Sequence, residues 1–253
     1  MQTIVFATRK GGSGKSTLAI GLAIAAIQGG HTVRLIETDP QGTLSNWRRR
    51  RSEAEPSVET ISEAGDVAQL LAMFARDGVT LAIIDTASGA SHVTTAAIGA
   101  ADLVLIPVRP SVADIESTAP TLRAVRACGR PFSFVLNQAA VRGQRTDSAA
   151  ATLGEGGALE AAGLLAMPYI VMRNDHQDAL GLGLSVSEYA QNGKSAEEIR
   201  ALWTWVSQKL SPMPLVDEHG VIYHADARDT VPTIFPLPAD ESGDNDRDRP
   251  EPG

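Results

Sequence analysis

The run Arg9-Lys10-Gly11-Gly12-Ser13-Gly14-Lys15-Ser16-Thr17 carries the residue types that hold phosphate. Its glycines let successive backbone N–H groups turn inward around anionic oxygens, and a helix opening behind them adds the positive end of its dipole. Lys15 then reaches the β- and γ-phosphates, and the Ser16 hydroxyl holds Mg²⁺. Gly11, Gly12, Ser13, Gly14, Lys15, Ser16 and Thr17 are therefore the candidate nucleotide-binding residues. The usual pattern has a glycine where this chain has Arg9, and the chain adds a second lysine, Lys10, before the double glycine. Two carboxylates at the ends of apolar runs complete the set. Asp39 lies in Glu37-Thr38-Asp39-Pro40-Gln41-Gly42, and Asp85 closes Leu81-Ala82-Ile83-Ile84. A buried strand ending in Asp delivers one carboxylate to the outer shell of a metal. Asp39 reads either as a carboxylate aimed into the crevice at a strand's end or as a turn-forming Asp-Pro.

These groups need strands to carry them. Apolar runs at 3–8, 32–37, 79–85, 102–107, 132–136 and 168–172 read as strands, with a shorter edge strand at 57–61. Their near-continuous apolar character fits strands covered on both faces. Helical patterns occupy 15–28, 43–51, 65–76, 91–100, 112–128, 146–162 and 195–210. Alternation of the two predicts an α/β fold, a mostly parallel twisted sheet with helices on both faces, and the phosphate-holding loop between the first strand and helix places it in the P-loop NTPase class.

The chain has 253 residues and a net charge of −8. From Ser211 onward there are ten acidic residues and three arginines, which leaves 20 acids and 19 bases in residues 1–210. The acidity belongs mostly to the end of the chain, so the net charge does not exclude a local basic patch for nucleic acid. One cysteine, Cys128, excludes a disulfide framework and a cysteine-ligated cluster within one chain, and fits a reduced cytosolic setting. There is no signal-like N-terminus and no apolar run long enough to span a bilayer. We divide the chain into an ATPase domain at 1–210, an extension at 211–238 with a possible hairpin around His219-Gly220, and an acidic tail at 239–253 expected to be disordered.

With Lys10 in front of its glycines, the loop resembles the deviant Walker A motif of the ParA/MinD family of ATPases. The likeness extends over residues 2–210, through Asp39-Pro40-Gln41, Asp85 and Gly89, Pro107-Val108-Arg109-Pro110-Ser111-Val112-Ala113-Asp114, Asn137, and Lys194 to Ile199. Ala87-Ser88 replaces two prolines common at that point in the family. The resemblance implies ATP and Mg²⁺ as cofactors, and ATP hydrolysis at a slow basal rate. Asp39, in the first switch, would help position Mg²⁺ and the attacking water. Ser16, Asp39 and Asp85 would hold the metal, partly through water. Lys10 would reach the nucleotide of a second copy in an ATP-bound homodimer, making Lys10, Lys15 and Asp39 the catalytic residues. Asn137 would hydrogen-bond adenine, a strand-end turn residue being the plainer alternative.

Few residues precede the loop, so the chain resembles the short plasmid-type, ParF-like partition proteins rather than those with an N-terminal helix-turn-helix domain. That implies DNA segregation in the cytoplasm on the nucleoid, by nonspecific DNA binding and with a centromere-bound ParB-type partner. Arg173, Lys194 and Arg200 fall where relatives place DNA contacts. Arg48-Arg49-Arg50-Arg51 is the densest basic cluster, either a DNA or partner patch or a solvated helix face. A protein that positions protein clusters or a conjugative DNA complex would share the same core. A MinD-like membrane ATPase would need a basic amphipathic C-terminal helix, where this chain is acidic and broken by prolines.

Overall fold

The computed structural model describes residues 1–140 and 163–211, together with the backbone of two short strands farther on. The helix expected at 146–162 and the acidic tail at 239–253 lie outside the described residues. Six strands form one sheet: β1 (Gln2–Phe6), β2 (Val33–Glu37), β3 (Ser57–Thr60), β4 (Leu81–Asp85), β5 (Leu103–Val108) and β6 (Phe132–Leu136). Their spatial order is β3-β2-β4-β1-β5-β6, every pairing is parallel, and the short β3 forms the edge.

Alternate side chains of each strand feed two separate cores. Ile4, Phe6, Leu35, Ile83 and Leu105 join the helices α1 (Lys15–Gln28), α2 (Thr43–Arg50), α7 (Asp175–Gly181), α8 (Val186–Tyr189) and α9 (Lys194–Leu210). Val5, Ile36, Ile84, Val104 and Ile106 face α3 (Ala64–Arg76), α4 (His92–Ala100) and α6 (Ala119–Ala127). A sheet apolar on both sides must be covered on both sides, which explains the unbroken apolar strands.

Three expectations change. The helix read at 112–128 is two, α5 (Val112–Glu116) and α6, because Pro120 lacks an N–H and its ring would clash with the carbonyl four residues back. The strand read at 168–172 is reduced to one isolated bridge, Ala139 to Val171, with a second bridge, Phe134 to Leu165, just before it. Helices α7 and α8 stand where no periodicity signalled them. The hairpin expected around His219-Gly220 is present as β7 (Pro214–Val216) paired antiparallel with β8 (Ile222–His224).

The arginine run after Trp47 is mostly consumed inside the molecule. Trp47 is fully buried and donates its indole N–H to the Leu184 carbonyl at 3.1 Å. Arg51, 4 % exposed at its side chain, makes a two-pronged pair with Glu188 at 2.9 and 2.7 Å and donates to the carbonyls of Glu55 and Gly183. It also lies over the Trp47 ring. Arg50 donates to the Leu180 carbonyl, Arg48 to that of Ala54, and Arg49 to Asn46. Gly183 has a φ of +72°, and a Cβ there would fall 2.5 Å from the backbone of Arg50 and Arg51. The end of α2 is therefore clamped against the α7–α8 turn by backbone contact and a desolvated ion pair.

Glu188 also accepts from the Ser185 N–H at 2.9 Å as part of a capping box. Glu188→Ala strands the Arg51 charge in a buried site and is expected to cost about 3 kcal/mol in urea denaturation. The Arg51→Met, Glu188→Ala double variant should recover part of that loss; a double variant weaker than the single would contradict this account of the pair.

Candidate nucleotide-binding site

β1 lies inside the sheet, between β4 and β5. The chain leaving β1 enters α1 on one face, and the chain leaving β4 enters α4 on the other, so a crevice opens at the carboxyl ends of these two neighbours. Such a crevice is the ligand position of open α/β sheets. The glycine-rich loop and Asp85 meet there.

The loop is held from behind. Gly14, at the N-cap of α1, has a φ of +93°, and a Cβ there would lie 2.1 Å from Asn137 Nδ2, so both backbone and space exclude a side chain. Asn137 Nδ2 donates to the Ser13 carbonyl at 2.8 Å, and Gln138 Nε2 donates to the Gly12 carbonyl at 2.9 Å. In a planar trans peptide the N–H points opposite its carbonyl. Tying these two carbonyls to the end of β6 turns the N–H groups of Ser13 and Gly14 the other way. Asn137, expected to meet adenine, is here a brace of the loop and 5 % exposed.

Lys15 is nearly buried and has a neutral hydrogen-bond partner, the Ser88 hydroxyl, at 3.0 Å. Burial lowers its pKa from the usual lysine value, against the attraction of Asp85 and Asp39. Ser16 donates to Asp85 Oδ2 at 2.6 Å. Burial pushes Asp85 up to about 7, with Glu37 and Asp39 adding to the effect and the Ser16 hydrogen bond and Lys15 opposing it. Its second oxygen, Oδ1, is buried without a partner, and so is the Ser13 hydroxyl.

An under-neutralised ammonium and an unpartnered carboxylate oxygen side by side call for a ligand carrying both an anion and a cation. A nucleotide with its metal fits that description. Among the described residues no cluster of three or more His, Cys, Asp or Glu is placed to hold a metal ion. The Ser16 hydroxyl and the unpartnered Asp85 oxygen suit Mg²⁺, which binds through one or two protein oxygens and completes its shell with phosphates and water.

The segment after β2 is ordered by Glu37, a residue without a role in the motifs. Glu37, 1 % exposed, accepts from the N–H of Leu44 at 2.7 Å and of Ser45 at 3.1 Å, capping α2 from the end of β2. Asp39 lies near enough to bias both Lys15 and Asp85, while its Oδ1 accepts from the Gln41 N–H at 3.0 Å. It thus combines both readings, crevice carboxylate and turn. Thr38 Oγ1 accepts from the Ala87 N–H at 3.2 Å, joining the two switch segments.

Lys10 pairs with Asp114 of its own chain at 3.0 Å. Arg109 at 2.9 Å and the Ser111 hydroxyl share that carboxylate. Burial works against ionisation of Asp114, but the hydrogen bonds from Ser111, Lys10 and Arg109 outweigh it and hold its pKa below the usual carboxylate value. The DNA candidates lie apart from this site. Arg173 is half-buried and ion-paired with Glu198, so its charge is already engaged. Lys194 is exposed and Arg200 half-buried, both on α9. Ser88, Gln138 and Glu37 went unassigned from sequence; only the strand-end position of Glu37 and the adjacency of Gln138 to Asn137 hinted at them.

Fold and loop together define a P-loop ATPase of the ParA/MinD type. The sequence pattern of the family described as VirC1 protein matches residues 1–142, and the chain belongs to that family. It is 29% identical over 167 residues to the protein ParA of Rhizobium radiobacter, covering 62% of this chain and 74% of that one. It spans only 56% of the VirC1 protein of the same organism. It is 30% identical over 217 residues to the maintenance of carboxysome distribution protein A of Gloeobacter kilaueensis, covering 79% and 90%. Among solved structures, a plasmid partition protein of Borrelia burgdorferi bound to AMPPNP superposes with a TM-score of 0.62 at 16% identity, covering 82% and 98%.

Ser88 stands in for an anion at Lys15, so Ser88→Ala should destabilise the nucleotide-free protein by about 1 kcal/mol, lowering Tm by about 2–4 °C. With saturating ATP the loss should shrink. An equal loss with and without nucleotide would show that the hydroxyl serves the bound state as well.

Proposed function

We propose that this chain is an ATP-dependent DNA segregation ATPase that pairs on ATP, holds DNA without sequence preference and lets go when a partner protein triggers hydrolysis. The observation that carries the reading is the double-lysine loop, with Lys15 buried in the crevice and Lys10 at its mouth on a carboxylate it can leave. Lys10 retains 33 % side-chain exposure. Asp114 would keep Arg109 and Ser111 if Lys10 departed, so the move orphans no charge.

Bound ATP with Mg²⁺ supplies the transferable phosphoryl group and a divalent charge. Lys15 and the N–H groups of Ser13 and Gly14 bind and orient the phosphates. Ser16 and Asp85 hold the metal side, and Asp39 positions water. Lys10 of each subunit reaches the nucleotide of the other and offsets charge building on the phosphoryl oxygens, as a supplied arginine does elsewhere. Slow basal turnover keeps the DNA-bound state long enough to be useful. Lys194 and Arg200 remain the DNA contacts suggested by position on α9, with the nucleoid as the resting place of the ATP form and a ParB-type protein as the trigger. Among the described residues no helix is long and apolar enough to cross a membrane.

A second reading, a positioning ATPase for protein clusters or a conjugative DNA complex, draws on the 30% identity with the carboxysome distribution protein across 90% of its length. The nucleotide chemistry is common to both readings, and the cargo divides them.

Lys10→Ala should bind ATP as a monomer and fail to dimerise on it, as read by light scattering with ATP and ADP. Normal dimerisation would end the cross-subunit role. Duplex DNA binding should appear with ATP, vanish with ADP and in Lys15→Ala, and weaken with salt. A Lys15→Ala protein that still bound DNA in an ATP-dependent way would overturn the switch.

A further inference from the structure

Arginine is unevenly spent in this molecule. Arg34, Arg51, Arg109 and Arg173 are in ion pairs, and Arg48, Arg49 and Arg50 donate to acceptors within the chain. Arg9, Arg76 and Arg200 also lack a side-chain partner among the described residues but stand singly, whereas the stretch 117–146 gathers several arginines. It holds five arginines, at 123, 126, 130, 142 and 145, and no carboxylate, in a chain whose net charge is −8.

Three of the five lie on or just past α6. Arg123 and Arg126 are exposed and Arg130 is half-buried. The three-residue spacing of Arg123 and Arg126 puts those two on one side of α6, and Arg130 follows just past its end. The helix ends with the Arg130 N–H on the Val125 carbonyl and Gly129 at φ +62°, which carries the chain past the last turn with its third arginine close behind. Among the described residues none of the three guanidinium groups has an ion pair or hydrogen bond. Attraction to the negative end of the helix accounts for Arg126 in the last turn, but that effect fades within one turn and leaves Arg123 unexplained.

We propose that the Arg123, Arg126 and Arg130 face of α6 binds the phosphate backbone of DNA. It does so from the sheet face opposite α9, as a surface additional to Lys194 and Arg200. Charge complementarity selects the occupant. Adjacent guanidinium groups with no internal partner repel one another, and a row of phosphates relieves that repulsion with two-pronged hydrogen bonds. Contacts to phosphate carry no sequence information, so binding through them is without sequence preference. The inference rests on the DNA-binding reading above but not on the cargo.

The test is binding of short duplex DNA of arbitrary sequence to the full chain with ATP, from about 50 to about 200 mM salt. The Arg123→Ala, Arg126→Ala, Arg130→Ala variant should keep its ATP affinity and lose only a little Tm, from the helix-end attraction of Arg126, because no ion pair or hydrogen bond of the described residues is removed. Its DNA affinity should fall on the order of tenfold or more, and its salt slope should flatten by about 1 for each arginine. The matching triple lysine variant should restore the slope. If the parent chain binds DNA and the alanine variant binds it with the same slope, this proposal is wrong and the segregation reading stands. If the parent chain binds no DNA with ATP at any salt, the segregation reading fails as well. Loss confined to an acidic protein partner, with DNA binding intact, would assign the face to that partner and overturn the proposal.

Discussion

An ammonium group buried in a crevice with a serine hydroxyl as its hydrogen-bond partner is the feature on which the rest of this molecule turns. Lys15 has lost most of its hydration, and of the carboxylates that attract it, Asp85 and Asp39, Asp85 is itself crowded by Glu37 and Asp39. Three carboxylates and one lysine in so small a space leave charges of both signs incompletely answered. The surroundings are consistent with that deficit: two loop carbonyls are pinned by Asn137 and Gln138, and Asp85 keeps one oxygen without a partner. A site built this way is costly without its ligand, and binding relieves the cost. Pre-organisation of that kind lowers the cost of binding a nucleotide.

Helix α2 is held at both of its ends. Glu37 caps its beginning from the end of β2, two residues before Asp39. Its other end is clamped to the α7–α8 turn by Trp47, Arg51 and the close approach of Gly183. Helix α8 packs on α9 within the same core. Packed cores move between discrete arrangements rather than deforming smoothly. These contacts join the segment after β2 to α7–α9 as one packed body. The opposite face, with α3, α4 and α6, shares no such clamp with α2 among the described residues.

Most of the sheet was legible in the sequence, since strands covered on both faces announce themselves as unbroken apolar runs closing on polar residues. The two-helix form of 112–128 was equally legible in Pro120, although helical periodicity runs across it. Helices α7 and α8 were not, being too short for periodicity to register and held by long-range contacts to α2. The arginine run after Trp47 was the most misleading feature. In sequence it is the densest positive cluster, yet folding buries one arginine against Glu188, 137 residues away, and points others at backbone carbonyls.

Sequence alone determined the loop, its order between strand and helix, and the two strand-end carboxylates, because each is a local pattern whose geometry follows from a few neighbouring residues. Only the tertiary structure decided which charges are answered. It gave Lys10 to Asp114, Arg173 to Glu198 and Arg51 to Glu188, and left Arg123, Arg126 and Arg130 facing outward. Pairing of charges depends on which distant residues the packed helices bring within about 4 Å, and spacing along a chain does not encode that distance.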